Sequence, residues 1–274
     1  MPVWRFLPFQ KNSAFENMAE DEAVYRENQR LGGPPTLRLF GWSPPSVSIG
    51  FFQDLEKDID LAACRLSGID VVRRITGGRA VLHDAEITYS LVSRENDPLF
   101  PPGILGRYQL ISEAICDGLL TLGIHAEMEA RRIKPGNELR EFCFSVPAQH
   151  EILVNGKKIC GSAQARGGGA FLQHGSLLLD FDPASAFDLM TRDKSNRREK
   201  IQKLEASITS IHAAVRNRPA PVAVCAAISR AIEDKFGIRL KPGRLTSEET
   251  ALKQRLIEMK YGTDRWNRFA ETGI

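Results

Sequence analysis

A chain of 274 residues, 42% hydrophobic and 26% charged, has the composition of a packed globular protein and the length for one large domain or two small ones. Its 37 basic and 34 acidic side chains leave a formal charge of +3, too balanced to argue for nucleic acid or a membrane surface as the partner. The start "MPVWRFLPFQKNSAF" lacks the basic opening and apolar run of a signal peptide, and no window approaches a membrane span, so a cytoplasmic protein is expected.

"VWRFL" reads as a short strand. "NSAFENMAEDEAVYRE" follows as a helix with Ser13 as N-cap, Glu16 completing a capping box, and Phe15, Met18, Ala19 and Ala23 as its apolar stripe. "TLRLFGW" and "SVSIGFF" are two strands about a Ser-Pro-Pro turn. "EKDIDLAACRLSG" predicts one helix ending at glycine, and "IDVVRR" a buried strand. After the strand "AEITYSLVSR", the clearest long helix is "GRYQLISEAICDGLLTLGI", with Ile111, Ile115, Leu119 and Leu122 on one side. The segment "AEMEARRIKPGNELREFCFSVPAQ" is polar and long for a loop inside a compact domain, which marks functional or mobile loops. Three strand-like runs come next, "HEILVNG", "KKICGSAQARG" and "AFLQHGSLLLDFD", the first two joined by an Asn-Gly hairpin signal. From about residue 184 the chain reads as helical. No repeat or low-complexity tract interrupts this order, which predicts an α/β or α+β fold, a mixed sheet packed by helices.

The chemistry-bearing stretch is "RRITGGRAVLHD". Gly77 and Gly78 permit a turn whose N–H groups, beside Arg73, Arg74 and Arg79, suit a phosphate or an oxyanion; a plain Thr-Gly-Gly turn with solvated arginines fits the same letters. His83 and Asp84 fit a base with its orienting carboxylate, and equally a histidine bonded within its turn. In "GKKICGSAQAR", strand alternation places Lys158 with Cys160 on one face and Lys157 with Ile159 on the other. A lysine pointing into a site polarises a carbonyl or favours a thiolate, whereas one on a wet hairpin does neither.

Five dispersed cysteines without a CxxC fit reduced thiols, and five histidines show no metal spacing. Cys64, Cys116 and Cys225 fall on apolar helix faces. Cys143, between Phe142 and Phe144 on the long polar segment, is either a small hydrophobe or a nucleophile. "TRDKSNRREKIQK" is a solvated helix face or a docking patch for an acidic protein.

Taken together, "RRITGGRAVLHDAEITYS", "NGKKICGSAQAR" and "LQHGSLLLD", in this order, resemble the lipoate–protein ligase and octanoyltransferase family, relatives of the biotin–protein ligase catalytic domain. "SAFENMAEDEAV", "LFGWSPPSVSIGFFQ" and "KYGTDRWN" extend the likeness over nearly the whole chain, and "CFSVPAQHE" is similar to the cysteine-dependent octanoyltransferases. The resemblance implies a catalytic domain over 1–240 with a helical tail, 241–274, packed on it, and a monomer. It implies Cys143 as the acyl-accepting thiol and Lys158 as the contact to the acyl carbonyl. Arg73, Arg74, Gly77, Gly78, His83, Asp84, Gly161, Ser162 and His174 would bind substrate.

The implied reaction carries octanoyl or lipoyl from acyl carrier protein to Cys143 and on to a lysine of a lipoyl domain or of the glycine-cleavage H protein. No metal or resident cofactor is implied; ATP and Mg enter only if the chain is an ATP-dependent lipoate–protein ligase. An amidotransferase moving octanoyl between lipoyl domains shares the chemistry. A binding module that has lost it would lack Lys158 or Cys143.

Overall fold

The computed structural model describes residues 1–129 and 151–272. Strand β1 (Val3–Asn12) leads into helix α1 (Ala14–Leu31). The helix starts where Ser13 Oγ accepts from the Glu16 N–H at 3.3 Å while the Glu16 carboxylate accepts from the Ser13 N–H at 3.1 Å, and it stops at Gly32, whose φ of 65° few other residues adopt. Strands β2 (Thr36–Trp42) and β3 (Ser46–Ile49) follow. The single helix expected over "EKDIDLAACRLSG" is instead two, α2 (Leu55–Asp58) and α3 (Leu61–Leu66), because Asp60 turns back to accept from the Ala63 N–H and starts a second helix inside the first.

Strands β4 (Asp70–Arg73), β5 (Val81–His83) and β6 (Glu86–Arg94) precede the long helix α4 (Ile104–Thr121), on which Ile111, Ile115 and Leu119 are buried. Strands β7 (Glu127–Met128), β8 (Ile152–Val154), β9 (Lys157–Gly167) and β10 (Ala170–Leu178) come next. The turn between β8 and β9 is Asn155-Gly156, both at positive φ, as the hairpin signal requires. Helices α5 (Pro183–Met190), α6 (Arg197–Ser207), α7 (Ile211–Ala214) and α8 (Pro221–Phe236) follow. The C-terminal part is not wholly helical: strand β11 (Arg239–Pro242) lies between α8 and α9 (Ser247–Leu256). A π-helical turn over Ile257–Tyr261 and helix α10 (Asp264–Phe269) complete the described chain.

Among the described residues the main sheet has eight strands in the order β11-β1-β2-β6-β10-β9-β8-β7, and a second sheet has three, β4-β3-β5. β1 is parallel to both β11 and β2, and the remaining pairs of the main sheet are antiparallel, so the sheet is mixed. One face of it carries Leu37, Leu39, Ile87, Tyr89 and Phe171 against α4 and α8. Full burial of side chains of this size is worth roughly 1.5–3 kcal/mol each, and this cluster is the largest core. The other face of the sheet is covered by α1 and the small sheet. No helix among the described residues is long and apolar enough to cross a membrane.

Candidate active site

Antiparallel partners point to the same face, so the register itself assigns the second face of the main sheet. Gly161 pairs with Ser176 and Ser176 with Thr88; Ala163 pairs with His174, His174 with Ser90 and Ser90 with Arg38. These side chains look toward α1 and the small sheet, and between the layers lies a cavity of about 180 Å³. Met18, Trp42, Ala80, Val81 and Ala163 give it apolar walls, and Lys158, Glu151, Arg74 and two histidines supply charge. From Lys158 on β9 to Trp42 on β2 the cavity crosses three strand spacings, roughly 14 Å.

Arg74 is the polar hub of this space. Its Nη1 donates to Ser48 Oγ at 3.0 Å, and Ser48 Oγ meets His83 Nε2 at 2.7 Å, while His83 Nδ1 is 2.8 Å from the Glu86 carboxylate. Its Nε donates to Thr76 Oγ1 at 3.1 Å, Thr76 Oγ1 meets His174 Nε2 at 2.7 Å, and His174 Nδ1 is 3.1 Å from Asp21. Because a carboxylate only accepts, each imidazole donates from Nδ1 to its acid, with Nε2 set against the hydroxyl. Two relays of one design thus run from a single guanidinium to two buried carboxylates.

Burial holds the His174 imidazole below its ordinary value, and the charges of Arg74 and His83 add to this against the pull of Asp21. For Asp21, burial would raise the carboxyl, but the His174 hydrogen bond and the Arg38 guanidinium outweigh it and hold it low. Glu86 likewise loses more to His83, Ser176 and Thr88 than burial returns, and its carboxyl also lies low. It accepts as well from Trp42 Nε1, whose ring stacks on His83 at 3.8 Å.

Lys158 is buried, and its Nζ is 2.6 Å from Glu151. It does not share a face with Cys160, as plain alternation predicts. Leu153 pairs with Lys158 and the preceding Ile152 with Cys160, so Ile159 is an extra residue, a β-bulge. Past the bulge Cys160 packs in the core with Leu177, while Lys158 lines the cavity with Gly161. Two glycines make room around this arrangement. A Cβ on Gly50 would lie 1.9 Å from the Gly78 carbonyl, and one on Gly175 2.5 Å from the Tyr89 ring.

The cavity gathers Arg74, Gly78, His83, Gly161, Ser162 and His174 from the expected substrate-binding set, together with Lys158, the expected contact to the acyl carbonyl. Gly77 stands beside it, its carbonyl taking a bond from Arg74. Two others of the set do not line the cavity. Arg73 faces away, its guanidinium used up on the carbonyls of Gly50, Phe51, Gln53, Trp266 and Arg268, where it ties the C-terminal helix to the loop after β3. Asp84 is exposed on a separate groove, and the carboxylate behind His83 is Glu86.

Cys143 lies outside the described residues. The four described cysteines are all buried or partly buried thiols that burial makes poor nucleophiles. Cys64 and Cys225 are pushed up to about 11, Cys116 to about 12 and Cys160 higher still. The basic stretch is tied up locally, with Lys194 on Asp60, Arg197 on Asp188 and Lys200 on Asp193.

Reading by motif missed Asp21, Ser48, Thr76, Glu86 and Glu151. One signal was available: Glu86, Thr88 and Ser90 alternate along a strand that is otherwise apolar, which marks a polar cavity face. Asp21 and Glu151 carry no such local sign.

The family model "Lipoyl protein ligase A/B catalytic domain" matches residues 13–233. The chain is 40% identical over 276 residues to octanoyltransferase LipM of Kyrpidia tusciae, a match that covers 97% of this chain and 99% of that one. It is 36% identical over 273 residues to octanoyltransferase LipM of Bacillus subtilis, with 97% and 98% covered. Among solved structures, a bi-partite lipoate protein ligase of Thermoplasma acidophilum, studied with its E2 lipoyl domain, aligns at a TM-score of 0.83 and 26% identity, covering 100% of this chain and 99% of that one. A lipoate-protein ligase A bound with ATP aligns at 0.80 and 28%, covering 98% and 99%.

Proposed function

The chain belongs to the lipoyl protein ligase A/B catalytic-domain family and transfers octanoyl groups in protein lipoylation; we propose that it does so without ATP, through a thioester on Cys143. The donor in this reading is octanoyl-acyl carrier protein and the acceptor a lysine of a lipoyl domain or of the glycine-cleavage H protein. The Cys143 thiolate adds to the thioester carbonyl, the carrier thiolate leaves and takes up a proton, and an octanoyl-enzyme remains. The neutral amine of the acceptor lysine then adds to the same carbonyl, Cys143 leaves as thiolate, and the amide nitrogen gives up its extra proton. One thioester is exchanged for another in the first step, so no activation by ATP is needed.

The observation that carries the reading is Lys158. A bulge delivers this buried side chain to one end of an apolar-walled cavity that is long enough for an eight-carbon chain. A cation there stabilises the oxyanion of both tetrahedral intermediates, a role worth about 3 kcal/mol for one good donor. The raised thiols of the four described cysteines leave Cys143 as the remaining candidate for the nucleophile.

A second reading, an ATP-dependent ligase that makes an acyl-adenylate, has the ATP-bound structural relative in its favour. Chain length does not separate the two, since this chain spans 99% of the T. acidophilum ligase chain. The test is octanoylation of a lipoyl domain from octanoyl-acyl carrier protein, with and without ATP and Mg. Transfer that proceeds at the same rate without ATP, and falls on the order of a hundredfold in Lys158→Met, is expected. Transfer from free octanoate only when ATP is present would assign the ligase instead.

A further inference from the structure

Lys158 needs its side chain held, because a lysine on its flexible stem has many rotamers and only some aim the ammonium at a given carbonyl. We infer that Glu151 is the positioning residue of the transfer, holding the Lys158 ammonium on the cavity side of β9 through their buried ion pair. The inference rests on Lys158 acting at the reacting carbonyl, as above.

Both backbones are fixed independently of the pair. The Glu151 carbonyl accepts from the Glu129 N–H at 2.8 Å, which anchors the start of β8. The Lys158 carbonyl accepts from the Thr209 N–H at 2.9 Å, beside a bridge to Ile208, and Lys158 is in register with Leu153 on its other side. The Nζ–Oε1 distance of 2.6 Å therefore joins two anchored points, and the lysine side chain spans a set distance between them. Both residues line the cavity and are almost fully buried, Lys158 at 3% and Glu151 at 8% exposure. Inside such a space the carboxylate compensates the ammonium and orients it at once.

A double-mutant cycle separates positioning from general support of the fold. Octanoylation of a lipoyl domain is followed for wild type, Glu151→Gln, Glu151→Asp, Lys158→Met and the Glu151→Gln/Lys158→Met pair, each with and without ATP. In Glu151→Gln, kcat falls about tenfold or more while KM for the lipoyl domain holds, since the lost interaction is one made in the transition state. Glu151→Asp recovers part of the rate, and Glu151→Gln costs nothing further once Lys158 is methionine. A wild-type kcat in Glu151→Gln, or a loss that adds in full to that of Lys158→Met, overturns the inference. If Glu151→Gln does not fold, the same cycle is run with Glu151→Asp, whose loss must likewise vanish in the Lys158→Met background. Because the assay reads overall transfer with and without ATP, it reports on Glu151 whether or not the thioester route holds; ATP-dependent transfer in wild type counts against the thioester alone.

Discussion

Arg74 heads two relays that run through two histidines, each backed by an acid from another element: Glu86 from β6 and Asp21 from α1. The histidine side of this design has a consequence for stability. His174 has a folded value below its ordinary 6.5, so between the two the unfolded chain binds a proton that the native chain does not. Stability is therefore complete above about 6.5 and declines as the pH falls below it. Asp21 and Glu86, held below 3.8 and 4.5, contribute stability that is lost only at lower pH, as they protonate in the native state. The urea midpoint is expected to fall between about pH 7 and pH 5.5, with a shallower fall in His174→Gln; parallel slopes would contradict this. Lys158, Arg74, His83 and His174 were legible in the sequence because they stand in compact motifs. Asp21 was not, since it meets His174 across 153 positions of chain and only folding relates them.

Among the elements, the pairing of β9 with β8 decides what the site contains. Deleting Ile159 removes the extra residue but leaves Leu153 opposite Lys158 and Ile152 opposite Cys160, so Lys158 and Cys160, now adjacent, still point to opposite faces and the lysine stays on the cavity side. The expected result is a protein with transfer activity well above that of Lys158→Met; activity at the level of Lys158→Met would mean that pairing with Leu153 does not aim the lysine. Gly175→Ala places a Cβ against the Tyr89 ring and Ser162 Oγ, both held in the sheet, and should cost about 1–3 kcal/mol by urea denaturation. The capped helix α1, the amphipathic α4 and the Asn-Gly hairpin were all legible, because each rests on neighbours in sequence. The bulge was not, since an extra residue leaves no mark on the alternation of one strand and appears only against its partner. Strand β11 escaped for a similar reason: "RLKP" gains its identity from pairing with Val3–Phe6 at the far end of the chain. Asp60, a residue that caps a helix from within an apparent helix, broke the α2–α3 segment.

At the scale of the whole molecule, the two ends of the chain close on each other behind the cavity. Lys260 is buried between Glu22 of α1, at 2.8 Å, and the Trp266 ring, at 3.8 Å, and Arg73 ties α10 to the loop that supports the Gly77-Gly78 turn. Glu22→Gln leaves the Lys260 ammonium buried against a ring with its carboxylate gone, at an expected cost of about 3 kcal/mol in urea. A loss below about 0.5 kcal/mol would show that Glu22 does not hold the C-terminal segment. The family was legible from three motifs in order, while the role of Arg73 was not, for its partners lie some 20 and 195 residues away. The central claim is the acyl-cysteine. Intact-protein mass spectrometry after mixing the enzyme with octanoyl-acyl carrier protein, without ATP, reads it directly. One added octanoyl group that is absent in Cys143→Ala is the predicted result; an unmodified wild-type protein that still octanoylates a lipoyl domain would contradict it.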